Sequence, residues 1–146
     1  MDRKQPARLV NTLILLSVGA YVIACCLPAL EWRNTGRPPE REIMLGLRAL
    51  AVGWSGIFAG VVAWFANPLW LLALCLAFFQ KPWLGSIAGT IALLIALTVF
   101  SVVGRELPGD EGNVTKTTIV AVWPGAYVWF VSIGLSIAAA LVGIRK

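Results

Sequence analysis

The sequence predicts an all-α membrane protein, a bundle of four transmembrane helices in a single domain over residues 1–146. Four stretches contain no Asp, Glu, Lys, Arg or His: residues 9–30, 55–79, 83–103 and 121–143. A helix needs about 20 apolar residues to cross the hydrocarbon core of a bilayer, and each stretch is that long. Charged residues are 13% of the chain, against about a quarter in soluble domains.

The first predicted span is residues 9–30, and basic residues precede it, as in a signal peptide or a first transmembrane helix. Val22-Ile23-Ala24-Cys25 also resembles a bacterial lipobox, in which the cysteine is lipidated and the preceding segment is removed. Because apolar sequence continues past Cys25 to Leu30, a retained helix is favoured. Residues 31–44 then form a polar loop, with an extended or turning stretch at Gly36-Arg37-Pro38-Pro39.

Residues 43–79 are too long for one helix, and Asn67-Pro68 interrupts them. We favour an interfacial or re-entrant segment over 43–53, followed by one helix over 54–79 that is kinked at Pro68. The proline frees the carbonyl of Trp64, and Asn67 is available to bond it. The alternative ends one helix at Ala66 and begins a second at Pro68, which gives five spans, the second helix having only about 12 residues.

Gln80-Lys81-Pro82 predicts a tight turn before the third span, residues 83–103. A second polar loop, residues 104–120, follows. It contains a turn signal over residues 108–113 and a β-branched run over 114–120 that favours a short strand. The fourth span is residues 121–143.

The orientation of the chain in the membrane is predicted from the charged residues between the spans. With the amino terminus in the cytoplasm, six Lys and Arg lie on each side, so the positive-inside count is a tie. One acidic residue, Asp2, lies inside and six lie outside, and three basic residues precede the first span. We expect both termini in the cytoplasm and two short polar loops outside.

The chain has little that indicates catalysis. Gly53-Trp54-Ser55-Gly56 matches the serine motif of rhomboid-type intramembrane proteases, but the chain has no histidine to act as base. The three cysteines lie in apolar segments without a metal-ligand spacing, so no metal or cofactor is expected. The basic residues, which give a net charge of +5, form no stripe that would track nucleic acid.

Small residues recur at helical spacing. Gly53, Gly56 and Gly60 precede the Asn-Pro interruption, and Gly85 and Gly89 form a Gly-x-x-x-Gly motif in the third span. Such motifs let helix backbones approach closely. We therefore expect these glycines to pack helices against one another inside the bundle. Alternatively, they form an interface with a membrane-protein partner or with a second copy of the chain.

Trp64, Asn67 and Trp70 surround Pro68 and are candidates for an aromatic groove that binds a small molecule or a lipid. A carrier should have a groove-like cavity with these three residues on its wall. A protein that works by contacting a partner should instead have a filled interior and an exposed face through Gly56 and Gly60.

Residues 53–68, from Gly53-Trp54-Ser55-Gly56 through Trp64-Phe65-Ala66-Asn67-Pro68, resemble a block in small, uncharacterised bacterial inner-membrane proteins. The run Pro124-Gly125-Ala126-Tyr127-Val128-Trp129 is similar too. The resemblance implies a bacterial origin and a shared topology, and it implies no activity and no functional residues.

The sequence therefore predicts a non-enzymatic protein of the bacterial inner membrane, whose partners are the bilayer and another membrane protein or a second copy. We favour an accessory subunit of a membrane complex. An immunity protein against a membrane-acting toxin and a small-molecule or lipid carrier with a groove near Pro68 are the alternatives.

Overall fold

The computed structural model describes residues 4–34, 41–108 and 116–144. Most of them are helical, and four strands form one antiparallel sheet. The helices are α1 (Lys4–Cys26), α2 (Gly46–Val52), α3 (Ala66–Phe78), α4 (Pro82–Leu97) and α5 (Pro124–Ile144). The strands are β1 (Pro28–Asn34), β2 (Arg41–Leu45), β3 (Glu106–Pro108) and β4 (Lys116–Val122). Turns of 3-10 helix cover Gly53–Ala59, Ala63–Phe65 and Thr98–Val102.

The sheet has the order β2-β1-β4-β3, and all of its neighbouring strands are antiparallel. Side chains alternate between the two faces of a strand. In β1, Leu30 and Trp32 face the helices, while Glu31 and Arg33 occupy the opposite face. Along β1 the inner face is therefore apolar and the outer face is charged, while in β2 Glu42 lies opposite Trp32 and Ile43 lies opposite Glu31.

In the described part of the chain, three helices are long and apolar enough to cross a membrane: Ala7–Cys26, Pro82–Val102 and Pro124–Ile144. The helix α5 packs against α1 and α4, and α3 packs against α4 and α5. Because α1 leads directly into β1 and α5 follows directly from β4, the sheet lies at one end of the helices. The outer ends of α1 and α5, at Lys4 and Ile144, lie at the other.

The predicted first span over 9–30 is too long, because α1 ends at Cys26. Pro28 disfavours helical geometry at the residue before it, and the amide of Leu27 makes the last bond of the helix, to Ile23 and Ala24. Ala29 and Leu30 are apolar because they belong to β1 rather than to a membrane helix.

The single kinked helix predicted over 54–79 is wrong. Residues Gly53–Ala59 form a 3-10 turn, Gly60 takes a left-handed φ of 75°, and α3 begins only at Ala66. Pro68 lies in the first turn of α3, where a missing N–H costs no bond, so the proline begins a helix instead of kinking one. The structure resembles the alternative with a short second helix, since α3 has 13 residues.

The predicted segment over 43–53 is also different, because it contains the end of β2 and the whole of α2. The third predicted span matches Pro82–Val102, after a turn in which Gln80 has a φ of 60°. The fourth begins at Pro124, because Ala121 and Val122 pair with β1.

The prediction of an all-α bundle of four transmembrane helices is thus corrected in two ways. A four-stranded sheet covers one end, and α3 has the apolar composition of a span without its length. Thirteen residues of α-helix extend about 20 Å, against a hydrocarbon core of about 30 Å. The strand predicted over 114–120 is observed as Lys116–Val122. The turn predicted at 36–39 lies outside the described residues, as does the turn predicted over 108–113 except for Pro108, which ends β3.

Candidate functional site

A half-open cavity of about 350 Å³ lies between the inner face of the sheet and the helix ends next to it. This volume is within the range of small-molecule binding sites. Its wall is formed by every helix except α4 and by all four strands. Lining residues include Tyr21, Cys25, Leu30, Trp32, Met44, Leu50, Gly53, Gly56, Ala59, Trp64, Asn67, Val99, Leu107, Ile119, Ala126 and Trp129.

The segment Gly53–Ala59 forms one side of this cavity. A 3-10 helix has three residues per turn, so Gly53, Gly56 and Ala59 share a face, and all three line the cavity. The apolar side chains on its other faces point away: Trp54 and Ile57 are about half-exposed and Phe58 is 85% exposed. The segment is thus a thin wall with small residues inside and large apolar residues outside.

The glycines at 53, 56 and 60 therefore have local roles. A Cβ on Gly53 would lie 2.7 Å from Cδ1 of Trp64, and a Cβ on Gly56 would lie 3.2 Å from Cβ of Val61. Gly60 has the left-handed φ of 75° that ends the segment, with open space around it. Within the described part of the chain, Gly53 and Gly56 contact neighbouring turns and not a long helix. That the three glycines form an interface with a partner stays a prediction.

Gly85 and Gly89 lie in α4, at the other end of the molecule. A Cβ on Gly85 would be 3.2 Å from the carbonyl oxygen of Ala73 in α3, and one on Gly89 would be 2.7 Å from Cγ1 of Ile137 in α5. Both glycines are buried. Small residues of α4 thus pack against both α3 and α5.

Asn67 connects three helices on the wall of the cavity. Its Oδ1 accepts hydrogen bonds from the hydroxyl of Tyr21 and from Nε1 of Trp129, both at 3.0 Å. Its Nδ2 donates to the carbonyl of Trp64 at 2.9 Å, so the predicted bond is present although Pro68 lies in the first turn of α3 and kinks no helix. Nε1 of Trp64 in turn donates to the carbonyl of Leu50 in α2, at 2.7 Å.

Trp70 lies outside the lining of the cavity. It is 7% exposed and belongs to the helix core together with Ile133 and Leu74. Its ring stacks on Tyr21 at 4.1 Å, and its Nε1 donates to the hydroxyl of Ser17. The hydroxyl of Ser17 donates to the carbonyl of Ser132. Of the three predicted groove residues, the structure brings Trp64 and Asn67 to the cavity and places Trp70 beneath them.

Among the described residues, no charged side chain lines the cavity. Arg48 pairs with Glu42 and lies 5.3 Å from the ring centre of Trp32, which is one of the lining residues. On the outer face of the sheet, Glu31 accepts from Nε1 of Trp123 and lies 3.6 Å from Arg41. The cavity is therefore apolar, and these charges around it are already paired with one another.

One hydrogen-bond donor of the wall has no partner. Within residues 4–34, 41–108 and 116–144, Nε1 of Trp32 is buried and makes no hydrogen bond. Cys25 also lines the cavity as a free thiol. In the same ranges no group of three or more His, Cys, Asp or Glu is arranged to hold a metal ion. Ser55 of the protease-like motif donates to the carbonyl of Val52 at 2.7 Å.

Sequence reasoning did not single out Tyr21 or Trp32 as cavity residues, whereas Trp129 was an alternative candidate for lining a groove. It also missed Gly46 and Gly125, where a Cβ would meet the backbone at the end of α1, at Ala24 and at Leu27 and Pro28 respectively. One signal was present: from Leu30 to Arg33, apolar and charged residues alternate with the period of a strand.

Comparison of the chain with models of known protein families, with curated proteins and with solved structures found no match. The function is therefore argued from the geometry of the cavity.

Proposed function

We propose that this protein is an integral membrane protein that binds an uncharged, apolar ligand in the cavity beneath its sheet. The observation that carries the proposal is the cavity itself, about 350 Å³ in volume, with no charged side chain among the described residues of its wall. Apolar pockets with a few placed polar groups are the usual form of small-molecule sites. Asn67 and Trp129 bring polar groups to this wall, and they are hydrogen-bonded to each other.

The arrangement favours this function over that of a partner-binding accessory subunit. A carrier was expected to have a cavity with Trp64 and Asn67 on its wall, and both line it. An interaction protein was expected to expose a contiguous face through Gly56 and Gly60, whereas Gly56 faces the cavity. Trp70 departs from the expected groove because its ring is stacked in the helix core.

The proposed environment of the protein is a lipid bilayer, and the ligand is proposed to come from that bilayer. Among the described residues, three helices have the length and composition of membrane spans, and the ion pair of Glu31 and Arg41 on the outer face of the sheet suits water beyond them. The charge pattern of the sequence favours this face outside and both termini in the cytoplasm. The resemblance of residues 53–68 to bacterial inner-membrane proteins favours that membrane as the location. Neither catalysis nor nucleic-acid binding is part of the proposal.

An accessory subunit or an immunity protein is the second candidate, and one observation favours it. Only 17% of the apolar window of α1 is buried, and a Cβ added at Gly19 in α1 or at Gly134 in α5 would meet open space out to 4 Å. Small outward residues let another helix approach. Bulky leucines at both positions should then abolish cross-linking to a partner or a second copy in native membranes.

Photolabelling tests the ligand proposal. The purified protein in detergent is exposed to a diacylglycerol that carries a diazirine on its acyl chain, and labelled residues are mapped by mass spectrometry. We expect saturable labelling at the start of α5 and in α2, and its loss in Ala126→Phe, because the added ring fills the cavity. Val131→Phe, at an exposed position of the same helix, is the control. Equal labelling of wild type and Ala126→Phe would contradict the proposal.

A further inference from the structure

We infer that the cavity takes one acyl chain of a membrane lipid, tail first, and leaves the headgroup of that lipid outside. The inference rests on the proposed function, because it names the ligand chemistry of the same cavity. Two observations on the described residues carry it. The volume of the cavity suits a single chain, and the polar side chains of its wall are already hydrogen-bonded within the protein.

The polar side chains of the wall bond one another and the backbone. Six lining residues donate a side-chain hydrogen bond to an acceptor within the protein: Tyr21, Ser55, Trp64, Asn67, Thr117 and Trp129. Tyr21 and Trp129 share one acceptor, Oδ1 of Asn67, so both lone pairs of that oxygen are engaged. A polar ligand would have to break a bond of the wall in order to make one.

The remaining polar groups of the described wall offer a ligand little. Nε1 of Trp32 is buried beneath the surface, so a molecule in the cavity does not reach it. The thiol of Cys25 is free, but a thiol is a weak donor. The backbone carbonyls of Leu50, Val52 and Gly56 already accept hydrogen bonds. A hydroxyl, carbonyl or charged group in this space would lose its hydration without compensation, so the enclosed part of the ligand is hydrocarbon.

The volume of the cavity limits that hydrocarbon to one chain. A water molecule takes about 30 Å³ in the liquid and a methylene group is of similar size, so about 350 Å³ holds about 12 methylene groups. This is most of one acyl chain and much less than both chains of a phospholipid. The second chain and the headgroup therefore stay outside the cavity.

The segment Gly53–Ala59 borders lipid on its outer side in the proposed membrane environment. Trp54 and Ile57 are about half-exposed there and Phe58 is 85% exposed, while the small residues of the segment line the cavity. The chains of the bilayer thus lie next to a wall of the cavity and are an immediate source of the ligand. A free fatty acid carries the same chain, and the experiment separates the two sources.

The experiment measures the quenching of tryptophan fluorescence in a sterol-based detergent, which has no free alkyl chain to compete. The main probe is a phosphatidylcholine with one long acyl chain that is brominated at its tip. Two derivatives carry a hydroxyl on that chain, one halfway along it and one beside the ester. Only the saturable quenching that Ala126→Phe abolishes is counted.

Two further probes identify the kind of ligand. A fatty acid with the same brominated chain represents the second source, and a brominated aromatic hydrocarbon represents a compact apolar molecule without a chain. Tighter binding of the fatty acid than of the phospholipid would support entry of an acyl chain, with a free fatty acid as its source.

The position of the hydroxyl reports which part of the lipid is enclosed. We expect the hydroxyl halfway along the chain to weaken binding by wild type about tenfold, the effect of a polar group buried without a partner. The hydroxyl beside the ester stays outside the cavity and should leave the affinity unchanged.

Tyr21→Phe tests whether the paired wall causes this penalty. The substitution frees one lone pair of Oδ1 of Asn67, to which the hydroxyl halfway along the chain can then donate. The penalty should fall from about tenfold to about threefold. Tyr127→Phe is the matched control, because Tyr127 is about half-exposed and is not among the lining residues. It should leave the penalty at about tenfold.

The contrary results are distinguishable. Equal affinities for the plain and the mid-chain hydroxylated lipid, an equal penalty at both hydroxyl positions, or binding of the aromatic hydrocarbon alone would overturn tail-first binding of a chain and leave the binding function intact. A penalty that Tyr21→Phe does not reduce would overturn the role of the paired wall. Absence of saturable quenching by every probe in wild type would overturn the proposed function itself.

Discussion

The two ends of the helix layer are built from similar residues and packed in opposite ways. At the end away from the sheet, Gly85, Gly89 and Ala140 bring α4 against α3 and α5 with ordinary or tight van der Waals contact. At the sheet end, Gly53, Gly56 and Ala126 are equally small, yet they border an open cavity. Small residues thus bring long helices together at one end, while at the other Gly53 and Gly56 contact Trp64 and Val61 and also border the cavity.

The geometry of the backbone explains this difference. Near Gly85 the neighbouring elements are regular α-helices, which approach closely where side chains are small. Near Gly56 the chain is a 3-10 turn that ends at the left-handed Gly60, and a sheet replaces the next helix. A glycine-rich motif therefore indicates the packing of two long helices only where both partners are helices.

The largest effect is expected from a leucine at Gly89. A Cβ there already lies 2.7 Å from Ile137, so the added side chain must separate α4 from α5. We expect a loss of about 3 kcal/mol in the free energy of unfolding. Gly134→Leu on the exposed side of α5 is the control and should change stability little. Denaturation in detergent measures both, and equal losses would contradict the tight packing at this end.

A second comparison places the same substitution at each end of α5. Ala140→Leu should lower the free energy of unfolding by about 2 kcal/mol, because Ala140 is fully buried against α4. Ala126→Leu should change it by less than about 1 kcal/mol, because the cavity accepts the larger side chain. Thermal unfolding of the two variants in the same detergent provides the measurement. A greater loss for Ala126→Leu would mean that the sheet end is filled.

Loss of the polar contacts of Asn67 should have a smaller effect on the free energy of unfolding. Asn67→Leu removes the acceptor of Tyr21 and Trp129 and the donor to the carbonyl of Trp64. We expect a loss of about 1.5 kcal/mol, in view of the modest strength of hydrogen bonds between membrane helices. In Tyr21→Phe, which removes one of these bonds, the loss should be about 0.6 kcal/mol. A double-mutant cycle that showed no coupling would contradict the joint role of the two residues.

The smallest effect is expected at the edge of the sheet. Lys116 and Glu106 form an ion pair at 2.6 Å, and both side chains are about half-exposed. Glu106→Gln should lower stability by less than about 0.5 kcal/mol, and added salt should reduce even that difference. A loss above about 1 kcal/mol in unfolding experiments would show that the edge contributes more than this account assigns to it.

The sequence was sufficient to locate the helices that are apolar from end to end. The predicted third span agrees with Pro82–Val102, because an uncharged run of that length has few stable structures other than a long helix. The sheet could not be inferred in full, since Ala29, Leu30, Ala121 and Val122 extend the apolar runs of the neighbouring helices. Composition alone does not separate the inner face of a strand from the last turn of a membrane helix.

The candidate site was predictable only around Asn67. Proline chemistry led to the bond between Asn67 and Trp64, which is local in sequence. The cavity depends on long-range pairing, since Trp32 lies opposite Glu42 and Ile119 in the sheet. That register brings Trp32 to the same cavity as Asn67 and Trp129, and no spacing within the chain reveals it.

Native mass spectrometry of the protein released from mild detergent tests most directly whether the sheet end holds a ligand. We predict that wild type carries one apolar molecule of lipid mass, and that Ala126→Phe, purified in parallel, carries none while remaining folded. A wild-type protein that is free of any such adduct, or an adduct that Ala126→Phe retains to the same extent, would contradict the account.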